Sequence, residues 1–136
     1  MPLYNFNQIV KQLKESDITP ENLVDILVNN NMEYVEENKN SYPKEYEQIL
    51  KLKQLGIVKE VHSEGGGEGE GEYVEHVFHF KNHNVFVKIT GRYESYNGTD
   101  YHDGYYEVFP KLVKRVEFHL PEQEVKDEDI KEYLNN

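Results

Sequence analysis

The chain has 136 residues, a formal net charge of −11 and no cysteine. Its length fits one domain with one core, and 30% charged beside 12% aromatic residues marks a folded chain with a tyrosine-rich surface. This composition excludes disulfides and thiolate metal sites and disfavours nucleic-acid binding, which needs clustered Lys and Arg.

Six cations face nine anions up to Gly56, and nine face seventeen beyond it. Such acidity either keeps a protein dispersed or draws it to a basic partner, including a surface that normally holds nucleic acid. No run approaches the roughly eighteen apolar residues of a membrane span, and MPLYNFNQIV lacks the basic-then-apolar order of a signal peptide. A soluble, cytoplasmic protein is therefore expected.

Phe6, Ile9, Val10 and Leu13 share a helical face, which predicts a first helix from about Asn5 to Lys14. Thr19, Pro20 and Glu21 form a start signal for a second, whose apolar face runs from Leu23 to Val28. Asn29-Asn30-Asn31 weakens it, because Asn side chains compete for backbone hydrogen bonds; the helix frays there or runs on through Val35. Ser41 and Pro43 open a third, with Tyr42, Tyr46, Ile49, Leu50 and Lys53 on one face and Gly56 as its stop.

After Gly56 the apolar period changes to two. Strands are expected at Ile57–His62, Glu72–Lys81, Val85–Arg92, Tyr105–Phe109 and Leu112–Leu120, with a long loop around Asn97-Gly98. Val74, His76, Phe78 and Phe80 lie on one side, as do Val85, Val87 and Ile89, so one face of the sheet is buried. Short connections favour consecutive antiparallel pairing. A short helix from Asp127 to Leu134 closes the chain, within an acidic tail spanning 121–136. The expectation is one α+β domain over 1–136: three helices in 1–56, then an antiparallel meander in 57–120.

Three helices, a strand, a glycine-rich loop and a strand also make the order of a winged helix-turn-helix. Against DNA reading, the loop is acidic where a wing is basic, and the 29–40 connection is too long for the usual turn.

The loop SEGGGEGEG (63–71) lacks the Lys and Ser/Thr of a phosphate cradle and the ligand spacing of a calcium loop. It serves as a flexible connection or as an acidic contact loop carrying Glu64, Glu68 and Glu70, with Glu72 beyond it. His76 and His79 point to opposite faces of a strand and cannot share an ion without a bulge, so no metal or cofactor is expected. Ser63 and Ser95 lack a nucleophile context, which leaves a small hydrolase as an unsupported alternative. The informative cluster is Tyr93, Tyr96, Tyr101, Tyr105 and Tyr106, interleaved with Asn97, Gly98, Asp103 and Gly104. Tyr with Gly and Asn is the chemistry of protein-binding loops, although rings packed over a sheet edge give the same pattern.

The segment Val77–Phe109, carried by VFHFKNHNVFVKITG and SYNGTDY, resembles a β-meander of small bacteriophage-encoded proteins over about a quarter of the chain. The resemblance implies a phage or prophage origin and transfers no catalytic residue. Small acidic phage proteins include inhibitors of host nucleases and other defences. The expectation is thus a non-enzymatic binder, anti-CRISPR-like in its concrete form, whose carboxylates stand where phosphates would. It would engage a basic surface on a host nuclease or defence complex through Glu64, Glu68, Glu70, Glu72, Tyr93, Tyr96, Tyr101, Asp103, Tyr105 and Tyr106, with no direct contact to nucleic acid or membrane. A structural or assembly protein of the phage particle is the first alternative.

Overall fold

The computed structural model describes residues 3–67 and 69–118. Helix α1 spans Phe6–Glu15, and Asn5 caps it reciprocally with Gln8. Helix α2, Pro20–Leu23, starts at Thr19 with the same device through Asn22. It widens into a π-helical turn, Val24–Val28, and the left-handed backbone of Asn30 ends it. Helix α3, Met32–Glu37, is separate, and α4 spans Pro43–Gln54. The helical half therefore holds four segments where the sequence reading expected three, because the asparagine run breaks the second helix.

In α4 the buried residues are Gln48, Ile49 and Leu52, followed by Leu55. Leu50 and Lys53 point outward, which corrects the expected face by a fraction of a turn. Buried Gln48 donates to the Asp17 carbonyl and to Asn22, tying α4 to the α1–α2 connection. Gly56 follows with φ +98°, and a Cβ there would lie 2.5 Å from the Asn82 side chain.

Five strands follow: β1 Val58–Glu64, β2 Tyr73–Phe80, β3 Val85–Glu94, β4 Gly98–Tyr101 and β5 Tyr106–Val108. All pairs are antiparallel, in the order β1-β2-β3-β4, and β5 also pairs with β3. The fold is α+β with a meander, as the change of period predicts. The glycine-rich loop joins two strands of a five-stranded sheet, so it is not the tip of a two-stranded wing. The expected long loop around Asn97-Gly98 is a hairpin turn leading into β4, with Gly98 at φ +73°.

Strands β4 and β5 lie end to end along one edge of β3. Between the pairs Gly91↔Tyr101 and Lys88↔Tyr106, β3 supplies residues 89 and 90 while the opposing chain supplies 102–105. The surplus bulges out and turns Tyr105 toward the helices. The expected strand at Leu112–Leu120 is not formed over its described part: 111–118 joins no ladder among the described residues, and Leu112 is 90% exposed. The expected helix at Asp127–Leu134 and the tail 121–136 lie outside the described residues.

The core lies between the helices and one face of the sheet. Ile9, Leu13, Ile18, Leu23, Ile49 and Leu52 pack against Phe78, Phe80, Val87 and Ile89. His83, buried in the β2–β3 turn, accepts the Tyr4 N–H at Nδ1 (2.9 Å) and donates from Nε2 to the Leu55 carbonyl (3.1 Å). One imidazole thus joins the N-terminal segment, the end of α4 and the hairpin. Among the described residues no helix is long and apolar enough to cross a membrane.

Candidate functional site, an acidic tyrosine tip

The β1–β2 loop and the β3–β4 turn meet at one end of the sheet. The Tyr93 N–H donates to the Glu72 carbonyl at 2.7 Å, which holds the two connections side by side. Between them lies a shallow hollow of about 440 Å³ whose lining includes Gly67, Glu72, Arg92, Tyr93, Glu94 and Tyr96. Gly65 lets the loop leave β1. Its φ is +75°, and a Cβ would stand 2.0 Å from the Tyr73 carbonyl oxygen.

Arg92 sits in the hollow between two carboxylates, 3.4 Å from Glu72 and 3.8 Å from Glu94. All three side chains are about half open to water or more, so the pairs are weak and screened. Glu70 stands exposed beside them. Tyr96 lies in the β3–β4 turn and is fully exposed. Glu68 lies outside the described residues.

The ten residues singled out in the sequence do not form one patch. Glu70, Glu72, Tyr93 and Tyr96 share the tip. Glu64 stands at the root of the loop, beside His62. Tyr101 turns under the sheet, its hydroxyl 3.4 Å from His76 Nε2. Burial raises its phenol above the usual 10.0, and the charges of Asp25, Glu21 and Glu60 add to this against a hydrogen bond from Thr99. Tyr105 packs against the core and donates to the Ile18 carbonyl at 2.5 Å. Burial pushes this phenol far above its usual value, with Asp103 adding to the effect. Tyr101 and Tyr105 are partly buried against the core and stand apart from Tyr96 at the tip. Asp103 is exposed in the β4–β5 bulge, and Tyr106 lies on the outer sheet face opposite Lys88.

Two arrangements escaped the sequence reading. On the helix side of the sheet, Glu60 Oε2 lies 2.7 Å from Nδ1 of buried His76, whose Nε2 faces Tyr101. Carboxylate, imidazole and phenol make a chain that could relay a proton; it links β1, β2 and β4, with Glu60 at its open end. On the outer side, His62 lies 3.4 Å from Glu64 and 3.1 Å from Glu75, with ligand atoms all within 4.8 Å of one another. One imidazole and two carboxylates can hold a divalent transition metal. The same three groups also form an ion-paired cluster when His62 is protonated. Nothing in their spacing announces them, since they meet only through the β1 bulge and the cross-strand pair Glu64↔Glu75.

No family model matches the chain, and neither a curated protein nor a solved structure matches it.

Proposed function

We propose that this chain is a non-enzymatic binding protein that presents its acidic, tyrosine-bearing tip to a basic site on a protein partner. In its concrete form it is a phage-type inhibitor of a nucleic-acid-dependent host defence protein, acting as an anti-CRISPR protein does. The observation that carries the reading is the convergence of two connections from distant parts of the sequence, one acidic and glycine-rich, the other tipped by Tyr96. Carboxylates at such a tip would steer a basic surface into contact, and the ring would anchor it. The phage resemblance of 77–109 supports the same reading. The hollow is too shallow to enclose a substrate, which favours contact over catalysis.

One observation favours particle assembly instead: the exposed apolar side chains of Phe109, Leu112, Val113 and Phe118. Capture from a bacterial lysate separates the two. The tip reading expects a nucleic-acid-binding protein that is released by added DNA or RNA and lost with a Tyr96→Ala, Glu72→Gln variant. Capture unchanged by both treatments would overturn it.

A further inference from the structure

We propose that His62, Glu64 and Glu75 form a surface site for one divalent transition-metal ion, zinc in the first place, held across the loop end of the β1–β2 hairpin. The site is independent of the role proposed for the tip. Register brings the three side chains together. Glu64 and Glu75 are direct cross-strand partners, and His62 pairs with Val77, which makes Glu75 its diagonal neighbour. The extra residue Val61 shifts the register by one, so His62 and Glu64 both fall on the outer face with Glu75. Two carboxylates directly opposite each other destabilise a ladder, in a chain whose net charge is already −11. A cation held between them removes that repulsion.

The distances suit a shared ion better than an ion pair. His62 Nε2 stands 3.1 Å from Glu75 Oε2 and 3.4 Å from Glu64 Oε1. Charged imidazole–carboxylate hydrogen bonds close to about 2.7–2.9 Å, as His76 and Glu60 do at 2.7 Å. One Nε2 carries at most one proton and can aim it at only one of the two carboxylates. Ligands bound at about 2.0–2.2 Å in a tetrahedron stand about 3.3–3.6 Å apart, close to both separations from His62. All three ligand atoms lie within 4.8 Å of one another. A rotation of Glu64, the most exposed of the three, closes the remaining gap.

The donor set selects the metal. A neutral imidazole with two carboxylates balances a 2+ charge, and mixed nitrogen and oxygen donors suit zinc, whereas calcium and magnesium take oxygen. All three ligands sit on paired strands, so the backbone holds them in place before an ion arrives. Glu75 is also the hydrogen-bond partner of the Tyr73 hydroxyl, as ligating carboxylates commonly are of a neighbouring group. Three protein ligands leave a fourth position to water. His76 and His79 take no part, since His76 faces Glu60 and His79 meets Asn84. The ion is an addition to a folded surface and not a requirement for the fold.

Calorimetric titration of the chelator-treated, dialysed full chain with zinc chloride tests the site. One zinc per chain is expected, with a Kd below about 100 µM. His62→Asn and Glu75→Gln should each raise the Kd by about tenfold or more, because losing a ligand costs at least what losing a neighbour of a ligand does. His79→Asn removes a different imidazole from β2 and should leave the Kd unchanged. Circular dichroism of the variants should match the parent, because the ligands lie outside the core. In amide NMR spectra of the parent, zinc should shift the signals of residues 62–64 and 75 and leave those around His102 in place. An absence of binding up to about 1 mM zinc overturns the proposal and leaves the three groups an ion-paired cluster. Binding that His62→Asn leaves intact, or that His79→Asn abolishes, overturns it as well.

Discussion

Glu60 and His62 lie two residues apart in β1 yet point to opposite sides of the sheet. Glu60 pairs with Phe78 and reaches the buried His76, whereas His62 pairs with Val77 and meets Glu64 and Glu75 outside. Val61 is the extra residue between them, a bulge that breaks the alternation every regular strand obeys. The two carboxylate–imidazole contacts should therefore differ in energy. A double-mutant cycle with Glu60→Gln and His76→Phe should give a coupling of about 1–2 kcal/mol, as for a partly buried hydrogen bond to a charged group. The same cycle on exposed His62 and Glu64 should give about 0.5 kcal/mol or less. Urea unfolding of the parent and variants of both cycles checks this, and equal couplings would contradict the sorting role of Val61.

That bulge also marks the boundary of what the sequence tells. Helix starts at Asn5 and Thr19 were legible because caps are local. The buried face of β2 and β3 was legible because alternation is local too. Strand β4, GTDY, carries no apolar alternation and exists only through its register with β3. The converse error fell on Leu112–Leu120, which has the pattern of a strand but, over its described part, joins no ladder with the described residues. The site divided in the same way. Tyr96 was readable as an exposed turn residue, whereas Tyr105 sits nine residues on and is turned inward by a bulge of nonlocal origin. Composition grouped the tyrosines, and register separated them.

Alkaline pH should weaken the fold through the two half-buried phenols. Tyr101 and Tyr105 keep their protons above the usual 10.0 in the folded chain, whereas the unfolded chain releases them near that value. The folded state then binds more protons, so stability is full below about pH 10 and falls as pH rises beyond it. Tyr105→Phe should be less stable by about 0.5–1.5 kcal/mol at neutral pH, because the Ile18 carbonyl loses its donor. It should also show a shallower alkaline decline than the parent. Denaturant unfolding at about pH 8 and about pH 11, either side of the phenol's usual range, measures both effects.

Gly56 should tolerate no side chain. Its φ of +98° brings strain, and the Asn82 side chain, 2.5 Å from where a Cβ would stand, adds a clash. Asn82 also accepts the Ile57 N–H at 3.0 Å, so it cannot move away without freeing that donor. Gly56→Ala should cost about 1–3 kcal/mol, read as a lower thermal midpoint. Unchanged stability would mean that the α4–β1 junction relaxes freely.

Metal should be dispensable for folding. His62, Glu64 and Glu75 lie on the outer face, apart from the core, and His62 and Glu64 are open to water. Thermal midpoints with and without a chelator should agree within about 5 °C, equivalent to roughly 1 kcal/mol for a domain of this size. A larger fall on chelation, reversed by zinc or manganese, would make this cluster a structural centre.

Partner binding should separate the roles of charge and ring at the tip. Exposed carboxylates act over a distance set by salt, so they chiefly speed association, while an aromatic ring buried on contact controls dissociation. Replacing Glu64, Glu68, Glu70 and Glu72 with Gln should slow association and flatten its salt dependence. Tyr96→Ala should instead speed dissociation, at a cost on the order of 1–3 kcal/mol. Tyr101→Ala serves as the contrast, because its ring contacts His76 beneath the sheet. It should lower the thermal midpoint, and any loss of binding should follow that loss of fold. Once a partner is in hand, surface plasmon resonance between about 50 and 500 mM salt measures these rates across a several-fold change in screening length. Association indifferent to salt over that range would remove charge steering, and the exposed segment 109–118 would become the better candidate for the contact.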